Sequence, residues 1–409
     1  MPGSSSPHAI IAQSGGPTAV INQSLIGCVQ RWLATSGSGR LLGARHAVRG
    51  IVNEDFIDFL TVDPALLTAV AASPSAALGS SRDKPDEEYC RRIAAVLAKH
   101  DISVFFYIGG NDSADTCRIV AEFAHANGQA LRAFHIPKTI DNDLVENDHC
   151  PGYASAARYV AKLFVGDDLD NRALPGVKIN VVMGRHAGFL TAAAAMARSC
   201  NSSSISEPGP HLLYLPERPT TLRDMCVEIA AVYTRIGRCQ VAVSEGIRDA
   251  ESGKLLTEVF ESHAERDAHG NVQLSGSGTL GDQLADAVRV FLKGEAGVAN
   301  PRVRADTLGY AQRSFPDPSP VDQTEAEAVG SLAAEMALAD HPGGSITIKR
   351  TSNDPYEVAY EFRNLAAIAQ KTRHMPDEFI AASNHDVTDG FLQYLQPLVG
   401  ALPAVQGFI

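Results

Sequence analysis

Short apolar runs alternate with amphipathic segments along most of the chain. The clearest run is 102–108, in which Val104, Phe105 and Phe106 are consecutive, as is typical of a strand buried on both faces. The segment that follows it carries apolar residues at helical spacing. Further strands are predicted at 9–12, 41–46, 131–136, 177–183, 240–244 and 303–308. Their alternation with helical segments predicts two Rossmann-like, doubly wound α/β domains.

The order of the predicted elements divides the chain into two domains. We assign 1–150, together with about 255–300, to the first domain, and 151–254, together with about 301–409, to the second. The second includes a C-terminal extension with helices predicted at 323–339 and 362–371 and a strand at 345–349. Because ligands bind at the carboxyl ends of parallel strands, we expect the active site in the cleft between the domains, formed by strand ends from both.

Composition and charge narrow the class of protein. The 409 residues are 45% hydrophobic and 20% charged, which is ordinary for a globular enzyme. A formal net charge of −12 argues against binding to nucleic acid or to an anionic membrane. The seven cysteines are scattered without a C-x-x-C pair, and no stretch suits a signal peptide or a membrane span. We therefore expect a reduced, soluble, cytoplasmic protein in which a phosphate site is a local concentration of basic groups and backbone amides.

The stretch 137–144, directly after the predicted strand 131–136, holds the strongest candidate chemistry. Lys138 precedes two acids at alternate positions, Asp141 and Asp143. One carboxylate of such a pair can act as a base while the other orients it or contributes charge, which suits proton removal beside a metal-bound phosphate. The structural alternative is a polar strand-to-helix turn with Asp143 near a helix cap.

Two glycine-containing loops follow other predicted strands. Gly15 and Gly16 stand between a strand and a helix, an arrangement that points free amides at an anion, and a plain turn is an equal alternative. After the strand at 102–108 come two glycines and then Asn111 and Asp112. An acid there repels a bare phosphate unless a cation lies between them, so the pair suggests Mg²⁺ bound through water. The alternative is an acid that favours the helix dipole.

Basic side chains near the predicted strands and loops suggest an anionic ligand. Arg185, Arg304 and Arg313 each lie close to the start or the end of a predicted strand. A single arginine at such a place is more often an exposed or ion-paired residue. Three are better explained by a shared anion, because guanidinium groups match the geometry of phosphate. Arg82, in a Ser/Pro/Gly-rich loop, could also reach a phosphate or be a solvated charge.

Taken in their order along the chain, these motifs resemble the phosphofructokinase family. The matching segments are 14–16, 109–113, 137–143, 183–185, 244–246 and 308–313. ATP-dependent members typically have glycine where this chain has Asp112 and Lys138, whereas the pyrophosphate-dependent branch has Asp and Lys. A carboxylate at 112 repels the α-phosphate of ATP, and an ammonium at 138 neutralises diphosphate. The resemblance therefore implies a reversible, Mg²⁺-dependent phosphoryl transfer from diphosphate to fructose 6-phosphate, as used in glycolysis and gluconeogenesis.

The resemblance also implies a role for each matching residue. Asp141 would be the base that removes the proton of the sugar 1-hydroxyl, Asp143 would support it, and Lys138 would stabilise the transferring group. Asp112 would bind the metal, with Asn111 and Asp143 as further candidate ligands. The remaining residues would bind the substrates: Gly15, Gly16, Arg82, Asp112, Ser113 and Thr139 for diphosphate, and Met183, Gly184, Arg185, Glu245, Arg304, Tyr310 and Arg313 for fructose 6-phosphate.

The resemblance further implies partners. They are the two small-molecule substrates and further copies of the chain, in a dimer or tetramer, with no nucleic acid and no membrane. The arginine that many members send across a subunit interface has no counterpart at Gly176, and Lys178 is the nearest substitute. Two alternatives stay open: an ATP-dependent phosphofructokinase, and a non-catalytic sugar-phosphate-binding subunit on the same fold. The segment 371–376 could bring a basic side chain to the sugar diphosphate or end a helix.

Overall fold

The computed structural model describes residues 7–37, 39–200, 206–260 and 278–406. Its strands are β1 His8–Gln13, β2 Leu41–Ala44, β3 Phe56–Asp58, β4 Ile102–Gly109, β5 Arg132–Pro137, β6 Val177–Val182, β7 Leu212–Tyr214, β8 Cys239–Ser244, β9 Val303–Thr307, β10 Gly344–Asn353 and β11 Tyr356–Arg363. Its α-helices are α1 Ile21–Thr35, α2 Val48–Val52, α3 Pro64–Ala71, α4 Glu87–Lys99, α5 Asn111–Ala126, α6 Tyr153–Ala173, α7 Phe189–Ala192, α8 Leu222–Ile236, α9 Leu256–Phe260, α10 Thr279–Gly294, α11 Pro320–Leu338, α12 Leu365–Ile368 and α13 Asp389–Val399.

The chain divides into two units, each with its own sheet. Unit 1 comprises Met1–Ser155 and Arg313–Arg373, and unit 2 comprises Ala156–Gln312 and His374–Ile409. The sheet of unit 1 has the strand order β11-β10-β5-β4-β1-β2-β3, with β11 and β3 antiparallel to their neighbours and the other strands parallel. The sheet of unit 2 is parallel throughout, in the order β7-β8-β6-β9. The predicted class, two α/β domains with parallel sheets, is confirmed.

The central strand β4 explains why unit 1 needs helices on both faces of its sheet. Phe106 points to one side, where it meets Trp32 of α1 edge to face at 5.7 Å between ring centroids. Phe105 and Tyr107 point to the other side, in a core shared with α4 and α5. Side chains alternate between the faces of a strand, so an unbroken apolar run is stable only where both faces are covered.

The helix α11 belongs to unit 1, which corrects the predicted domain boundaries. A Cβ on Gly27 of α1 would lie 2.3 Å from the carbonyl oxygen of Glu327, and one on Gly330 would lie 2.0 Å from that of Ser24. Only glycine permits such a close approach of two helix backbones. Residues 313–373 therefore pack with the first unit, whereas the order of the predicted elements assigns them to the second domain.

The position of α10 corrects the predicted domain boundaries in the opposite direction, from the first domain to the second. Leu284, Val288 and Leu292 lie in the core of unit 2 with Val181 and Val303 of its sheet. The stretch 255–300 was predicted to join the first domain, but its described part, which includes α10, belongs to unit 2. A helical pattern identifies which face of a helix is buried, but not the sheet against which that face packs.

Most predicted strands and helices are confirmed, and one is wrong. The segment predicted as a helix at 362–371 begins as the end of β11, which pairs antiparallel with β10. Asn364 then caps the four-residue helix α12 by accepting a hydrogen bond from the Ala366 amide at 2.9 Å. Within the described ranges, no helix has the length and apolar character needed to cross a membrane.

Candidate active site

The turn after β5 places Lys138 inside unit 1. Its backbone N–H donates to the carbonyl oxygen of Gly109 at 2.9 Å, which continues the pairing of β5 with β4 beyond the strand end. The side chain is buried, and its ammonium group donates to the carbonyl oxygen of Gly16 at 2.6 Å. The loop after β5 is thereby joined to the glycine loop after β1.

Positive charge is concentrated around this lysine. The pKa of Lys138 is lowered to about 7, chiefly by burial and then by the charges of Arg313 and Arg82, while the charges of Asp141 and Asp143 oppose the shift. Three basic groups that destabilise one another in this way form an environment that an anion would stabilise. The structure thus brings together Lys138, Arg82 and Arg313, which are distant in the sequence.

Two glycines lie directly against this cluster of basic side chains. Gly15 has a φ of +73°, and a Cβ there would lie 3.3 Å from the Lys138 ammonium. A Cβ on Gly16 would lie 3.1 Å from the Arg313 guanidinium carbon. The missing side chains let the basic groups approach the backbone. Arg313, predicted to bind the sugar phosphate, therefore lies beside the loop predicted to bind diphosphate.

The carboxylate of Asp143 is held by two donors. Asn111 Nδ2 donates to its Oδ2 at 3.0 Å, and Thr139 Oγ1 donates to its Oδ1 at 3.1 Å. Thr139 Oγ1 also accepts from the Asp141 amide at 3.1 Å, so one hydroxyl fixes both acids of the turn. Burial raises the pKa of the Asp143 carboxyl, and the nearby charge of Asp141 raises it further. Of the two acids, Asp143 is therefore the one that we expect to be protonated when no ligand is bound.

The helix α5 begins at this site. Gly110 is its N-cap and offers no side-chain cap, so the first amides of the helix are not satisfied by a capping side chain. A Cβ on Gly109 would lie 1.9 Å from Ser113 Oγ, which donates to Ser14 Oγ at 2.9 Å. Gly109 is therefore required for the close contact between the loops after β1 and β4. The Asp112 side chain in the first turn is exposed.

The side-chain oxygen of Asn111 is relevant to the predicted metal site. Asn111 Oδ1 is buried and has no hydrogen-bond partner, while the Nδ2 of the same amide is used by Asp143. An amide oxygen beside a carboxylate is the hard-oxygen chemistry that Mg²⁺ prefers. Among the described residues, no group of three or more His, Cys, Asp or Glu side chains is clustered as for a metal ion. Metal binding by Asp112, Asn111 and Asp143 therefore stays a prediction, and the orphaned amide oxygen fits it.

In unit 2 the predicted sugar-phosphate residues follow β6 and β8. Gly184 has a φ of +130°, and its carbonyl oxygen accepts from Ser244 Oγ at 2.6 Å. A Cβ on Gly246 would lie 2.1 Å from the carbonyl oxygen of Arg185, so the two loops touch through their backbones. Met183 and Glu245 are largely buried in the same place. The structure thus brings four predicted residues to one edge of the sheet: Met183, Gly184, Arg185 and Glu245.

Arg304 lies at the other edge of that sheet. The register of β9 on β6 pairs Arg304 with Lys178, at the amino ends of both strands, whereas Thr307 pairs with Val181 near their carboxyl ends. Three residues of strand separate Arg304 from Thr307, which is roughly 10 Å. Arg304 and Arg185 therefore lie at opposite ends of this sheet, and the contact of Arg304 with the sugar phosphate stays a prediction. Tyr310, after β9, is 52% exposed.

A cavity of about 350 Å³ opens beside Arg185 in unit 2. The loops after all three neighbouring strands β6, β7 and β8 line it, and the C-terminal segment that begins at His374 completes it. The lining residues are Arg185, His186, Pro216, Glu217, Arg218, Arg248, His374, Met375 and Asp377. Sequence reasoning missed Arg248 and Glu217. The available signal was their position, three residues beyond β7 for Glu217 and four residues beyond β8 for Arg248.

The basic segment 371–376 contacts both sets of loops in turn. Within unit 1, the Arg373 amide donates to the carbonyl oxygen of Asp143 at 2.7 Å, and its guanidinium donates to that of Asp148 at 2.5 Å. Within unit 2, His374 Nδ1 lies 2.8 Å from the carbonyl oxygen of His186. Of the two alternatives for this segment, the end of a helix is wrong, because α12 ends at Ile368.

The parallel sheets, the basic cluster on glycine loops and the paired carboxylates define an α/β enzyme that handles phosphate groups. The chain belongs to the phosphofructokinase family, whose profile, described as Phosphofructokinase, matches residues 8–337.

Relatives support that assignment over the whole chain. A protein from Rhodospirillum rubrum named pyrophosphate–fructose 6-phosphate 1-phosphotransferase is 53% identical over 392 residues, which cover 96% of this chain and 94% of that protein. A protein of the same name from Halomonas elongata is 34% identical over 402 residues, 96% of this chain and 91% of its own. The crystal structure of the pyrophosphate-dependent phosphofructokinase from Nitrosospira multiformis superposes with a TM-score of 0.83 at 31% identity, and the match covers 97% of this chain and 92% of that one.

Proposed function

We propose that this protein catalyses the reversible transfer of a phosphoryl group from diphosphate to the 1-hydroxyl of fructose 6-phosphate. The products are fructose 1,6-bisphosphate and phosphate, and the reaction requires Mg²⁺. The observation that carries the proposal is the burial of Lys138 among nearby charges. These are the positive charges of Arg82 and Arg313 and the negative charges of Asp141 and Asp143. Relatives of the whole chain bear the name of this activity.

Asp141 is the base in this proposal. It takes the proton of the 1-hydroxyl while that oxygen bonds to one phosphorus of diphosphate, and the bond from this phosphorus to the bridging oxygen breaks to release phosphate. Burial, and then the charge of Asp141, raise the pKa of the Asp143 carboxyl, so in this proposal Asp143 rather than Asp141 holds a proton until Mg²⁺ binds. Thr139 holds both residues in register through its hydroxyl. The remaining contribution is positioning and charge neutralisation.

The diphosphate side is assigned to unit 1. Lys138 neutralises the bound diphosphate and the charge that develops on the transferring group, and Arg82 adds to that field. Gly15, Gly16, Ser113 and Thr139 would line the same place, where the uncapped amides of α5 favour an anion. Asp112 stands in the first turn of that helix, where its charge would repel the α-phosphate of ATP.

Mg²⁺ would be held next to these groups. Asn111 Oδ1 and the Asp143 carboxylate supply oxygen ligands, and Asp112 would bind through water. When bound, the ion would offset the negative charge of diphosphate.

The fructose 6-phosphate side is assigned to the loops of unit 2 around Met183, Gly184, Arg185 and Glu245, with Tyr310. Arg313 would sit on the diphosphate side, in view of its place beside Gly16. For Arg304, which lies at the opposite sheet edge, a role in substrate binding requires a second copy of the chain in a dimer or tetramer. That dimer or tetramer is part of this proposal.

The test compares initial rates with fructose 6-phosphate and Mg²⁺ when either diphosphate or ATP is the donor. Turnover with diphosphate and a rate at least 100-fold lower with ATP supports the proposal. Turnover with ATP alone would assign the protein to the ATP-dependent enzymes. Binding of fructose 6-phosphate by calorimetry without turnover from either donor would indicate a non-catalytic subunit.

A further inference from the structure

A buried histidine that the proposed mechanism does not use lies close in sequence to the acid turn, residues 139–143. His149 is completely buried in unit 1, six residues after Asp143. Its Nδ1 lies 2.8 Å from Asp148 Oδ2, and its Nε2 lies 2.5 Å from Glu325 Oε2 on α11. An ionised carboxylate only accepts hydrogen bonds, so both ring nitrogens donate and the imidazole carries a positive charge.

The charges around His149 alternate in sign along a buried ion chain of Arg350, Asp148, His149 and Glu325. Arg350 Nε donates to Asp148 Oδ2 at 3.0 Å, and the Tyr356 hydroxyl donates to Glu325 Oε1 at 2.5 Å. Both hydrogen bonds favour the ionised form of the acids. Burial by itself lowers the pKa of His149, but its hydrogen bonds to the two acids and their charges raise it to about 8. Removal of the imidazole would leave buried negative charge uncompensated.

The helix α11 holds the segment 148–155 through two acids one turn apart. Glu325 binds the imidazole, and Asp322 accepts from the amides of Gly152 and Ser155 at 2.8 and 2.9 Å. Burial raises the pKa of Asp322 to about 6. The titratable and charged groups that face the ion chain are Asp148 on the histidine's own segment, Asp322 and Glu325 on α11, Arg350 on β10, Tyr356 and Tyr360 on β11, and Arg373 after α12.

The segment around His149 supports the middle of the acid turn. Asn142, between Asp141 and Asp143, is buried and has a φ of +58°. A residue other than glycine keeps this left-handed conformation only where its surroundings support it. The amide of Cys150, the residue after His149, donates to Asn142 Oδ1 at 3.1 Å. The direction in which the two acids leave the turn therefore depends on the place of Cys150.

Two further contacts connect the same segments. The Thr139 amide donates to the carbonyl oxygen of Pro151 at 3.1 Å. Arg373 joins the carbonyl oxygens of Asp143 and Asp148, since its amide donates to the first and its guanidinium to the second. Because Asp148 and Pro151 lie on either side of the histidine in the chain, a displacement of the histidine would reach both ends of the acid turn.

We propose that His149, held as a cation between Asp148 and Glu325, is a positioning residue for Asp141, the base of the proposed reaction. Tyr356 takes part by holding Glu325 against the imidazole. The inference rests on the proposed function, because the exact place of Asp141 matters only if this residue removes a proton. A displacement of about 1 Å at a reacting group costs up to about 10²-fold in rate.

The experiment measures kcat and both KM values at neutral pH for wild type, His149→Gln, Tyr356→Phe and a control, His100→Gln. His100 lies 2.7 Å from Glu54, before the amino end of β4, whereas the acid turn follows the carboxyl end of β5. We expect His149→Gln to lower kcat about 10- to 100-fold, with KM for fructose 6-phosphate within about threefold of wild type. The control should keep the wild-type kcat.

Tyr356→Phe is the milder variant and serves if His149→Gln does not fold. It removes only the hydroxyl that donates to Glu325, so kcat should fall about 3- to 10-fold, the loss of one hydrogen bond in the supporting network. An unchanged kcat in Tyr356→Phe and in any His149→Gln protein that folds would overturn the inference.

A double-mutant cycle separates positioning from a general loss of stability. If His149 acts through Asp141, His149→Gln should lower kcat by less than about twofold in the Asp141→Asn background, because the base is already absent. If the effects of the two substitutions multiply in full, His149 does not act through Asp141 and the inference fails.

Unfolding at two pH values tests the charge on the imidazole. Because the pKa of His149 is raised in the folded protein, its stabilising effect is complete below the ordinary value of 6.5 and is lost as pH rises through about 8. The free energy of unfolding should therefore differ between wild type and His149→Gln by more at about pH 7 than at about pH 9. An equal difference at both pH values would overturn the charged state on which the inference depends.

Amide hydrogen exchange keeps the inference distinct from the proposed function. Protection of the Thr139 and Asp141 amides should fall about 10-fold in His149→Gln and stay unchanged in His100→Gln. If the wild type shows no turnover with either donor, the proposed function fails by itself, and a fall in protection still supports the role of His149 in placing the turn. Equal protection in wild type and His149→Gln would overturn the inference in that case as well.

Discussion

The loops at the carboxyl edges of the two sheets differ in how charge is arranged. In unit 1 the edge combines a buried lysine with a pair of acids, and the pKa values of both Lys138 and Asp143 are shifted toward neutrality. In unit 2 the edge is an open cavity lined with arginines, and its acids serve the protein's own backbone and arginines. Mixed charges with shifted pKa values suit the movement of a proton and a phosphoryl group, whereas charges of one sign suit recognition.

Glycines support the two edges in different ways. In unit 1, Gly15 and Gly16 make room for basic side chains, so their absence of Cβ shapes the charge cluster. In unit 2, Gly184 and Gly246 make room for the backbone of neighbouring loops, so they shape the path of the chain. The comparison predicts that variants of unit 1 will mainly change kcat and the use of diphosphate. Variants of unit 2 will mainly change KM for the sugar phosphate.

The largest effect is expected for Asp141→Asn, which tests whether chemistry is confined to unit 1. The amide keeps the shape of the side chain but cannot take the proton of the 1-hydroxyl, so kcat should fall about 10²- to 10⁴-fold with KM for fructose 6-phosphate within a few-fold. Steady-state kinetics and thermal unfolding are the measurements. Asp143→Asn is the matched control and should give a smaller decrease. A larger loss for Asp143 than for Asp141 would exchange the roles of the two acids.

A pH profile of Lys138 tests whether the buried lysine supplies charge. Its pKa in the folded protein is about 7, below the usual value, so the group is charged below that pH and loses its charge as pH rises. We therefore expect kcat/KM for diphosphate to fall above about pH 7. Lys138→Arg should flatten this alkaline limb even where it lowers the rate, because guanidinium does not titrate in this range. Lys138→Met should lower kcat/KM for diphosphate about 10²-fold at neutral pH.

An alkaline limb that persists in Lys138→Arg would show that another group titrates. As a control on the comparison, Arg248→Gln in unit 2 should keep the wild-type profile for diphosphate. A changed profile in that variant would mean that the two edges are not separable in function.

The choice of donor gives a smaller effect that sharpens the role of unit 1. The double variant Asp112→Gly and Lys138→Gly removes the charge that would repel ATP and the ammonium that neutralises diphosphate. The ratio of kcat/KM for diphosphate to that for ATP should fall at least about 10-fold, which corresponds to the loss of one charged interaction or more. The control is Asp170→Gly, which removes an acid from α6 in unit 2. Asp115→Gly would be less suitable, because Asp115 forms an ion pair with Arg118. An unchanged ratio in the double variant would contradict this account of donor choice.

The sequence predicted the local parts of this molecule better than their assembly. The turn around Asp141 could be located because a strand, an acid pair and a helix follow one another within a short stretch. The places of α10 and α11 could not, since an amphipathic helix does not encode which sheet covers its apolar face. The place of Arg304 could not be predicted for a related reason: a strand has two ends, and only the register of β9 on β6 shows which of them Arg304 occupies. Arg248 belongs to no motif that could be recognised in the sequence. It lines a cavity that is formed by four segments distant from one another in the chain.

The smallest effect is expected for Asn111→Asp, which adds a further acid beside Asp112, Asp141 and Asp143 at the edge of unit 1. The substitution removes the donor to Asp143 Oδ2 at 3.0 Å and places like charges together, so the protein without metal should lose about 1–3 kcal/mol in its free energy of unfolding. Mg²⁺ should reverse part of that loss, because a carboxylate is a stronger ligand than an amide oxygen. We expect the Mg²⁺ concentration for half-maximal rate to fall about 3- to 10-fold, a change of roughly 1 kcal/mol in binding.

Unfolding with and without Mg²⁺, in the absence of substrates, separates this effect from activity. Asn127→Asp at the other end of α5 is the control, since it makes the same replacement outside the site. It should change stability equally with and without the ion. If Mg²⁺ stabilises Asn111→Asp no more than it stabilises the wild type, Asn111 does not face the metal. The orphaned Oδ1 would then need another explanation, and the acid pair of unit 1 would act on the proton without help from the first residue of α5.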